Sequence, residues 1–353
     1  MINTQPLEIT NFTGGITDTF IDGQPNEAER IDNFFFNILG KPQTRWGSVL
    51  FEQTQIPIGN FRVSYLEFLR DSNNEDDYLL TFAEREIFAS NGNGFNLLRG
   101  SSNLPTFDRG GPNSLPSVSE YQDIIFATNS DFSTPQKIFI DDNSDIRAVS
   151  AGLPDIPGVV GVTAATGSGA NYSYAFILSF RYMVGTTQYL DRGPIQFFPS
   201  VVASGIIDVG NGAEITLPTN IPTGSNYDFA NINVEIYRTQ NSDPNYFLVG
   251  EVPYGTQTFT DEVPDTNLLA GVALYGNNGS IQNGTPPRCR FINVVNGTGY
   301  YAHTEESDGS INPYRVFQSI PGDPDSVPNN FFEETEQEIT GISSIYDLSL
   351  IHI

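Results

Sequence analysis

The sequence predicts an all-β protein, a β-propeller interrupted by an inserted β-sandwich. Gly, Pro, Asn, Ser and Thr are abundant, aromatic residues make up 12% of the chain, and almost no long stretch repeats apolar residues at helical spacing. Short units of strand, turn and strand recur at Tyr78 to Leu98, at Asp123 to Val149 and at Asn312 to Ile342. Because a block of different character separates the second unit from the third, the order predicts a propeller with an insertion.

Residues 1 to 60 are predicted to form an N-terminal segment that docks on the propeller. The stretch PNEAERIDNFFFNIL, residues 25–39, predicts the one helix of the chain, since Asn26 is a good N-cap and Glu29 is placed to complete a capping box. Trp46, the only tryptophan, is expected to anchor this segment by packing rather than to stack on a sugar.

Residues 61 to 153 are predicted to hold the first propeller blades. The turn NGNG at 91–94 tolerates positive φ and fits a hairpin in the first blade. Four strands are predicted for that blade: Val63 to Leu69, Tyr78 to Ala83, Glu86 to Ala89 and Phe95 to Leu98. The second blade follows at the spacing of roughly 40 to 50 residues typical of propellers. Its predicted strands are Asp123 to Thr128, Lys137 to Ile140 and Ile146 to Val149, with DDNSD at 141–145 as a hairpin turn.

Residues 154 to 276 are predicted to be the inserted β-sandwich. The boundary is GLPDIPG at 152–158, where two prolines and two glycines in seven residues are typical of a linker. Beyond it the aromatic and apolar residues from Tyr172 to Tyr182 alternate with Ser173, Ser179 and Arg181, as half-buried strands do. The run from Ile232 to Ile236 alternates in the same way. Further strands are predicted near 159–164, 195–198, 213–217, 246–252 and 257–261, and about seven strands in about one hundred residues favour a sandwich of immunoglobulin or fibronectin type III kind.

Residues 277 to 347 are predicted to return to the propeller. Three blades cannot close a ring, because propellers have about four to eight blades. The last six residues, 348–353, match a translation of CTG TCT CTT ATA CAC ATC, the transposase mosaic end used in preparing sequencing libraries. We therefore expect 348–353 to be an adapter artefact and the natural chain to continue after about Asp347, the alternative being a genuine C-terminal strand.

Charge and composition exclude several classes of function. Forty-two acidic against sixteen basic residues give a formal net charge of -26, which repels nucleic acid and anionic membranes. The single Cys289 allows no internal disulfide. The opening MINTQPLEIT lacks the basic and apolar regions of a signal peptide, and no apolar run is long enough to span a bilayer. Neither secretion by that route nor membrane anchoring is expected.

The sequence offers no catalytic motif, so we predict no catalytic residue, no cofactor site and no metal site. His303 is expected to be a solvated residue at a strand end, and Cys289 a small buried hydrophobe rather than a reactive thiol. Asp141, Asn143 and Asp145 have the spacing of calcium ligands, but Ile146 stands where the loop needs Gly, which favours a hairpin turn. Carboxylate pairs of a glycosidase stay open, because their separation cannot be read from the sequence.

Several segments together resemble the tail nozzle proteins of short-tailed bacteriophages, also called tail tubular protein B or, in crass-like phages, the muzzle. The resemblance covers nearly the whole chain and lies in GGI and GKPQTRWGS near the N-terminus, in DRGPIQFFPS, VEIYRTQNSDPNYFLVGEVP and TQTFTDEV of the block, and in PPRCRFINVVNGTGYYA and NPYRVFQSIPGDPDSVP after it. The block itself is similar to fibronectin type III-like domains of phage proteins.

This resemblance implies a structural virion protein, made in the host cytoplasm, that forms a homo-oligomeric ring at the distal end of the tail tube. The expected ring is a hexamer that contacts the tail tube or adaptor protein and the tail fibres, and genomic DNA passes through it without specific binding. Acidic side chains such as Glu336 and Glu338 would repel the phosphate backbone from the channel wall. The alternatives are a receptor-binding or glycan-binding propeller adhesin and, less favoured, a propeller glycoside hydrolase.

Overall fold

The computed structural model describes most of the chain from residue 62 onward and a few short strands outside that region. The described ranges are 62–70, 77–98, 105–158, 160–163, 165–167, 169–198, 202–219, 226–274 and 283–345, with the strand segments 15–16, 27–28, 34–36, 42–44 and 348–352. The fold is all-β, with 51% strand and 2% helix, as predicted. The chain divides into two compact units, Met1–Gln53 and Thr54–Ile353.

The described residues of the first unit form four short strands. These are β1 (Gly15–Ile16), β2 (Glu27–Ala28), β3 (Phe34–Phe36) and β4 (Pro42–Thr44); β1 pairs with β2 in parallel and β3 with β4 antiparallel. The helix predicted over 25–39 is wrong at β2 and β3. Three consecutive phenylalanines favour a strand with a pairing partner, and a capping signal is too weak to override that preference. Trp46 lies outside the described residues.

The first sheet of the second unit is a four-stranded antiparallel meander. Its strands are β5 (Val63–Leu69), β6 (Tyr78–Ala83), β7 (Glu86–Ser90) and β8 (Asn96–Leu98), paired in chain order. All four predicted strands are confirmed to within one residue at each end. Gly92 and Gly94 of the turn between β7 and β8 have positive φ, 91° and 122°, which explains the glycines of NGNG.

The second sheet is also a four-stranded meander. It consists of β9 (Pro116–Tyr121), β10 (Ile124–Asn129), β11 (Gln136–Ile140) and β12 (Ile146–Ser150), paired in chain order. The three predicted strands are confirmed, whereas β9 was not predicted, because PSVSEY has too few apolar residues to stand out. The hairpin between β11 and β12 is confirmed too: the carboxylate of Asp141 accepts the backbone N–H of Asn143 and of Asp145, each at 2.9 Å.

The described residues between the second sheet and residue 275 form ten strands and one short helix. They are β13 (Gly161–Thr163), β14 (Ala170–Tyr172), β15 (Tyr174–Val184), β16 (Thr187–Arg192), β17 (Gln196–Phe197), β18 (Val202–Ser204), β19 (Ala213–Thr216), β20 (Ile232–Thr239), β21 (Tyr246–Pro253), β22 (Thr258–Asp261) and α1 (Asp265–Leu268). One sheet has the order β16-β15-β20-β21, with β17 also on β15; a second has the order β13-β19-β22, and β14 pairs with β18.

The long strands of this block are more deeply buried than predicted. Tyr174, Phe176 and Leu178 lie in the main core, as the alternation predicts. On the opposite face of the same sheet, Ala175 and Ile177 belong to a smaller apolar cluster. The interpretation of half-buried strands is therefore wrong at the centre of β15, where both faces are covered.

The third sheet repeats the four-stranded meander. Its strands are β23 (Cys289–Val295), β24 (Thr298–Glu305), β25 (Ile311–Gln318) and β26 (Phe332–Glu334), again paired in chain order, and β27 (Gly341–Ile345) then pairs with β28 (Leu348–His352). The segment predicted to derive from an adapter thus pairs as a strand. The pairing has no bearing on the origin of that segment, which stays a prediction.

The second sheet lies between two apolar cores. Ile125 and Ile138 on one face pack with Leu80 and Ile87 of the first sheet. The opposite face contributes to a larger core that the inserted block and the third sheet share; its members from the second and third sheets include Ile124, Phe126, Phe139, Ile292 and Tyr301. Hydrogen bonds reinforce this contact, since Ser117 of β9 accepts the backbone N–H of Ile292 at 3.0 Å and Ser119 that of Val294 at 2.9 Å.

Candidate functional site

Two basic side chains of the described residues are fully buried, Arg238 in β20 and Lys137 in β11. Lys137 and Phe139 point to the same face of the second sheet, towards the core shared with the inserted block, because side chains alternate along a strand. The lysine side chain is 1% exposed. A charged ammonium in such a place costs several kcal/mol, on the order of a stability margin, unless acids neutralise it.

Carboxylates from two other parts of the chain surround this ammonium. Lys137 Nζ donates to Asp191 of β16 and, at 2.9 Å, to Oδ2 of Asp325 in the loop between β25 and β26. Asp325 Oδ2 also accepts the backbone N–H of Gly152 at 3.0 Å. The ring of Tyr182 lies 4.3 Å from Nζ. The second sheet, the inserted block and the third sheet therefore meet at one ionic cluster.

A third carboxyl group belongs to the same cluster. Asp191, Asp323 and Asp325 each place an oxygen within 4.8 Å of the others. Asp323 and Asp325 hydrogen-bond to each other through their side chains, which requires a proton on one of them. Three carboxyl groups at this spacing are typical of a cation site, and here the ammonium of Lys137 supplies the positive charge.

The three carboxyl groups differ in acidity. Burial and the charge of Asp325 raise the pKa of Asp323 to about 9 and that of Asp191 to about 7. Burial would also raise the pKa of Asp325, but Lys137 and the hydrogen bond from Asp323 outweigh it and hold that pKa below its ordinary value. Burial lowers the pKa of Lys137, yet the two facing carboxylates raise it well above its ordinary value. The cluster thus holds one ammonium, one firmly ionised carboxylate and two carboxyls that keep protons more easily.

The aromatic residues around the cluster fix its geometry. Tyr301 donates its hydroxyl to the backbone carbonyl of Pro324 at 2.7 Å and so holds the loop that bears Asp323 and Asp325. Phe180 and Tyr182 of β15 stack with their rings 4.9 Å apart next to the lysine. These rings exclude water from the ion pairs and strengthen them.

The residues weighed as reactive from the sequence do not join this cluster. Cys289 is fully buried and burial raises the pKa of its thiol, which confirms the interpretation of a small buried hydrophobe. The prediction that His303 is solvated is wrong: it is 6% exposed, and its Nδ1 lies 3.2 Å from the carbonyl oxygen of Ile339. The register of β24 against β25 shifts between Ala302 and Thr304, and this bulge turns the histidine inward.

Sequence reasoning did not find the four residues of the cluster. The signals were weak: a lysine inside the apolar strand QKIFI, and two aspartates inside the turn-like segment PGDPDSVP. Asp191 gave no sequence signal, since it is the penultimate residue of an ordinary polar strand. Only the packing of three distant segments brings them together.

A cleft of about 870 Å³ opens beside the third sheet. The charged side chains that line it already have partners, since Arg288 pairs with Asp108 and Arg315 with Glu306 and Glu334. Asp308, also in the lining, has no ion-pair partner among the described residues but accepts hydrogen bonds from Ser310.

No protein-family model matches the chain, and a search of the curated proteins found no match. Within the described parts of the chain, no helix combines the length and the apolar character needed to cross a membrane.

Proposed function

We propose that the chain is a structural virion protein, a subunit of the ring that forms the nozzle of a short phage tail and conducts DNA out of the particle. The observation that supports this best is the succession of three four-stranded meanders, in which the second sheet shares one core with the first and another with the third. Consecutive blades of a propeller pack in this way. The proposal joins this arrangement to the resemblance of the sequence to tail nozzle proteins.

The finer architecture belongs to the same proposal. The meanders are blades of a propeller, and the block between the second and third meanders is a sandwich of fibronectin type III kind. In support, two sheets of this block contribute to one core, as the two layers of a sandwich do. They are the five-stranded sheet, which includes Phe176 and Ile236, and the three-stranded sheet, which includes Ile215.

A nozzle subunit needs rigidity rather than a reaction. The buried cluster around Lys137 fastens the inserted block to the second and third sheets, and its carboxylates are too enclosed to receive a substrate. The acidic segment from Glu333 to Glu338 is exposed and is a natural lining for a channel that must not retain DNA. Both features fit a rigid channel that conducts DNA without binding it.

Electron microscopy of the purified chain by negative stain tests the proposal. We expect rings with a central pore, six-fold in the simplest case, formed alone or on addition of the tail-tube or adaptor protein. Particles that stay monomeric with both partners would contradict the proposal. If such monomers bound glycans on an array, the adhesin alternative would replace it.

A further inference from the structure

The contact between Lys137 and Asp191 brings together an amine and a carboxyl group that belong to different sheets. The two residues are 54 positions apart, and Asp325 lies on the same Nζ at 2.9 Å. The three side chains are sealed from solvent, with exposures of 1%, 10% and 4%. No external enzyme reaches such a site, so any chemistry there must be performed by the residues of the cluster.

We propose that Lys137 and Asp191 condense to an intramolecular amide, an isopeptide bond that joins the second sheet covalently to the inserted block. The bond between Nζ and Cγ of Asp191 forms, and one bond between Cγ and an Oδ breaks. The ammonium gives up two protons and the carboxylate one oxygen, which leave together as one water. No oxidant, reductant or cofactor is required.

The step needs an uncharged amine and an uncharged carboxylic acid. The ion pair is the prevailing form, because the facing carboxylates raise the pKa of Lys137 well above its ordinary value. Transfer of one proton from the ammonium to Asp191 within their hydrogen bond produces the neutral pair as the minor, reactive form. The lone pair of Nζ then attacks Cγ. Because the two groups are held in contact by three packed sheets, the attack has the advantage of well-oriented intramolecular reactions, with effective concentrations of about 10⁵ to 10⁸ M.

Asp325 is the catalytic base of this step. It touches Nζ at 2.9 Å, and the N–H of Gly152 fixes the same oxygen, so it is placed to take the second proton from nitrogen and to deliver it to the departing oxygen. The environment shifts the pKa values of the two acids in the directions that the reaction requires. The pKa of Asp191 is raised and that of Asp325 is lowered. Asp191 is therefore the carboxyl that is attacked and Asp325 the one that accepts the proton.

The rings above Nζ complete the site. Tyr182 lies 4.3 Å and Phe180 5.4 Å from the amine, and their aromatic faces keep water away from the reacting atoms. Asp323 donates its proton to Asp325 and keeps a second negative charge out of the pocket. Among the described residues, each carboxyl group of the cluster thus has a role in the step or in holding its charges.

Mass spectrometry of the full chain tests the proposal without any variant. Under denaturing conditions we expect the intact protein to be lighter than its sequence by one water, and a digest to yield a branched peptide that contains Lys137 and Asp191. A full mass with two separate peptides would overturn the proposal. A branched peptide joined through Asp325 would overturn the assignment of Asp191 as the attacked acid.

Three variants provide matched controls, each checked for its fold by circular dichroism. Lys137→Arg keeps the cation and its ion pairs but forms no amide, so it should have full mass. Asp191→Asn should lose ammonia in place of water and reach the same mass as the cross-linked native chain, because the amide product is identical. Asp325→Asn should fold and keep full mass, because it lacks the base; loss of water from this folded variant at the native rate would contradict the role of Asp325.

Discussion

At the scale of single residues, Asp323 explains how three acids coexist beside one lysine before the amide forms. All three ionised carboxylates together would leave a buried excess of negative charge, which is costly. The hydrogen bond between Asp323 and Asp325 retains one proton and removes that excess. The cluster is therefore stabilised by a shared proton as well as by ion pairs.

This sharing predicts a dependence of stability on pH. The pKa of Asp323 is raised to about 9 in the folded chain, against about 3.9 in an unfolded chain. The native state then binds more protons than the unfolded state between these values, so the free energy of unfolding falls as pH rises from about 5 to about 9. In Asp323→Asn, which cannot ionise, we expect the fall to be smaller, as measured by denaturant unfolding across this range in the Lys137→Arg background, which keeps the cation and forms no amide.

Asp308→Asn is the matched control for that experiment. Asp308 is exposed, and hydrogen bonds from Ser310 lower its pKa, so it stays ionised above about pH 5 in both states. Its replacement should leave the slope unchanged. Equal slopes for Lys137→Arg with and without Asp323→Asn would contradict the shared proton.

At the scale of secondary structure, the hairpin between β11 and β12 depends on one side chain. Asp141 accepts two backbone N–H groups of the turn and also pairs with Arg147 at 2.8 Å. We expect Asp141→Ala to lower the free energy of unfolding by about 1 to 2 kcal/mol, because these donors lose their acceptor. The neighbouring Asp142→Ala, at an exposed position of the same turn, should change it by less than about 0.5 kcal/mol. Equal effects would refute a special role for Asp141.

The hydrogen bonds between β9 and β23 can be tested in the same way. Ser119→Ala leaves the backbone N–H of Val294 without its acceptor, and we expect a loss of about 1 to 3 kcal/mol in thermal or denaturant unfolding. Glu120→Ala, on the exposed side of the same strand, is the control and should be nearly neutral. If both variants unfold like the native chain, the serine does not hold the two sheets together.

Strands could be predicted from the sequence where the pattern that indicates them lies within the strand and its adjoining turns. Strands with strong apolar patterns and turn residues, such as Val63–Leu69 and Tyr78–Ala83, were found with their bounds. The strand Pro116–Tyr121 was not predicted, because two of its positions are serines that accept hydrogen bonds from the neighbouring sheet and not apolar residues. The cluster around Lys137 could not be predicted, since its members lie on segments separated by 54 and 188 positions.

At the scale of the whole molecule, the charge of -26 gains a role only in the proposed channel. Reversing the charge with Glu336→Lys and Glu338→Lys should slow DNA ejection from particles, because lysine in the channel attracts the phosphate backbone. The rate of ejection in vitro is the measurement. Glu262→Lys, an exposed site in the inserted block, is the control. If ejection is unchanged, or is slowed equally in the charge-reversed variant and the control, the acidic segment does not line the channel wall.

The position of the protein in a particle tests the central proposal most directly. A reconstruction by electron cryomicroscopy of phage tails that contain this chain gives that position. The proposal predicts a closed ring of copies at the distal end of the tail tube, with the stacked meanders around the channel and the acidic segment on its inner wall. Density for the chain outside the tube, on a fibre, or no copy of it in the particle would contradict the proposal.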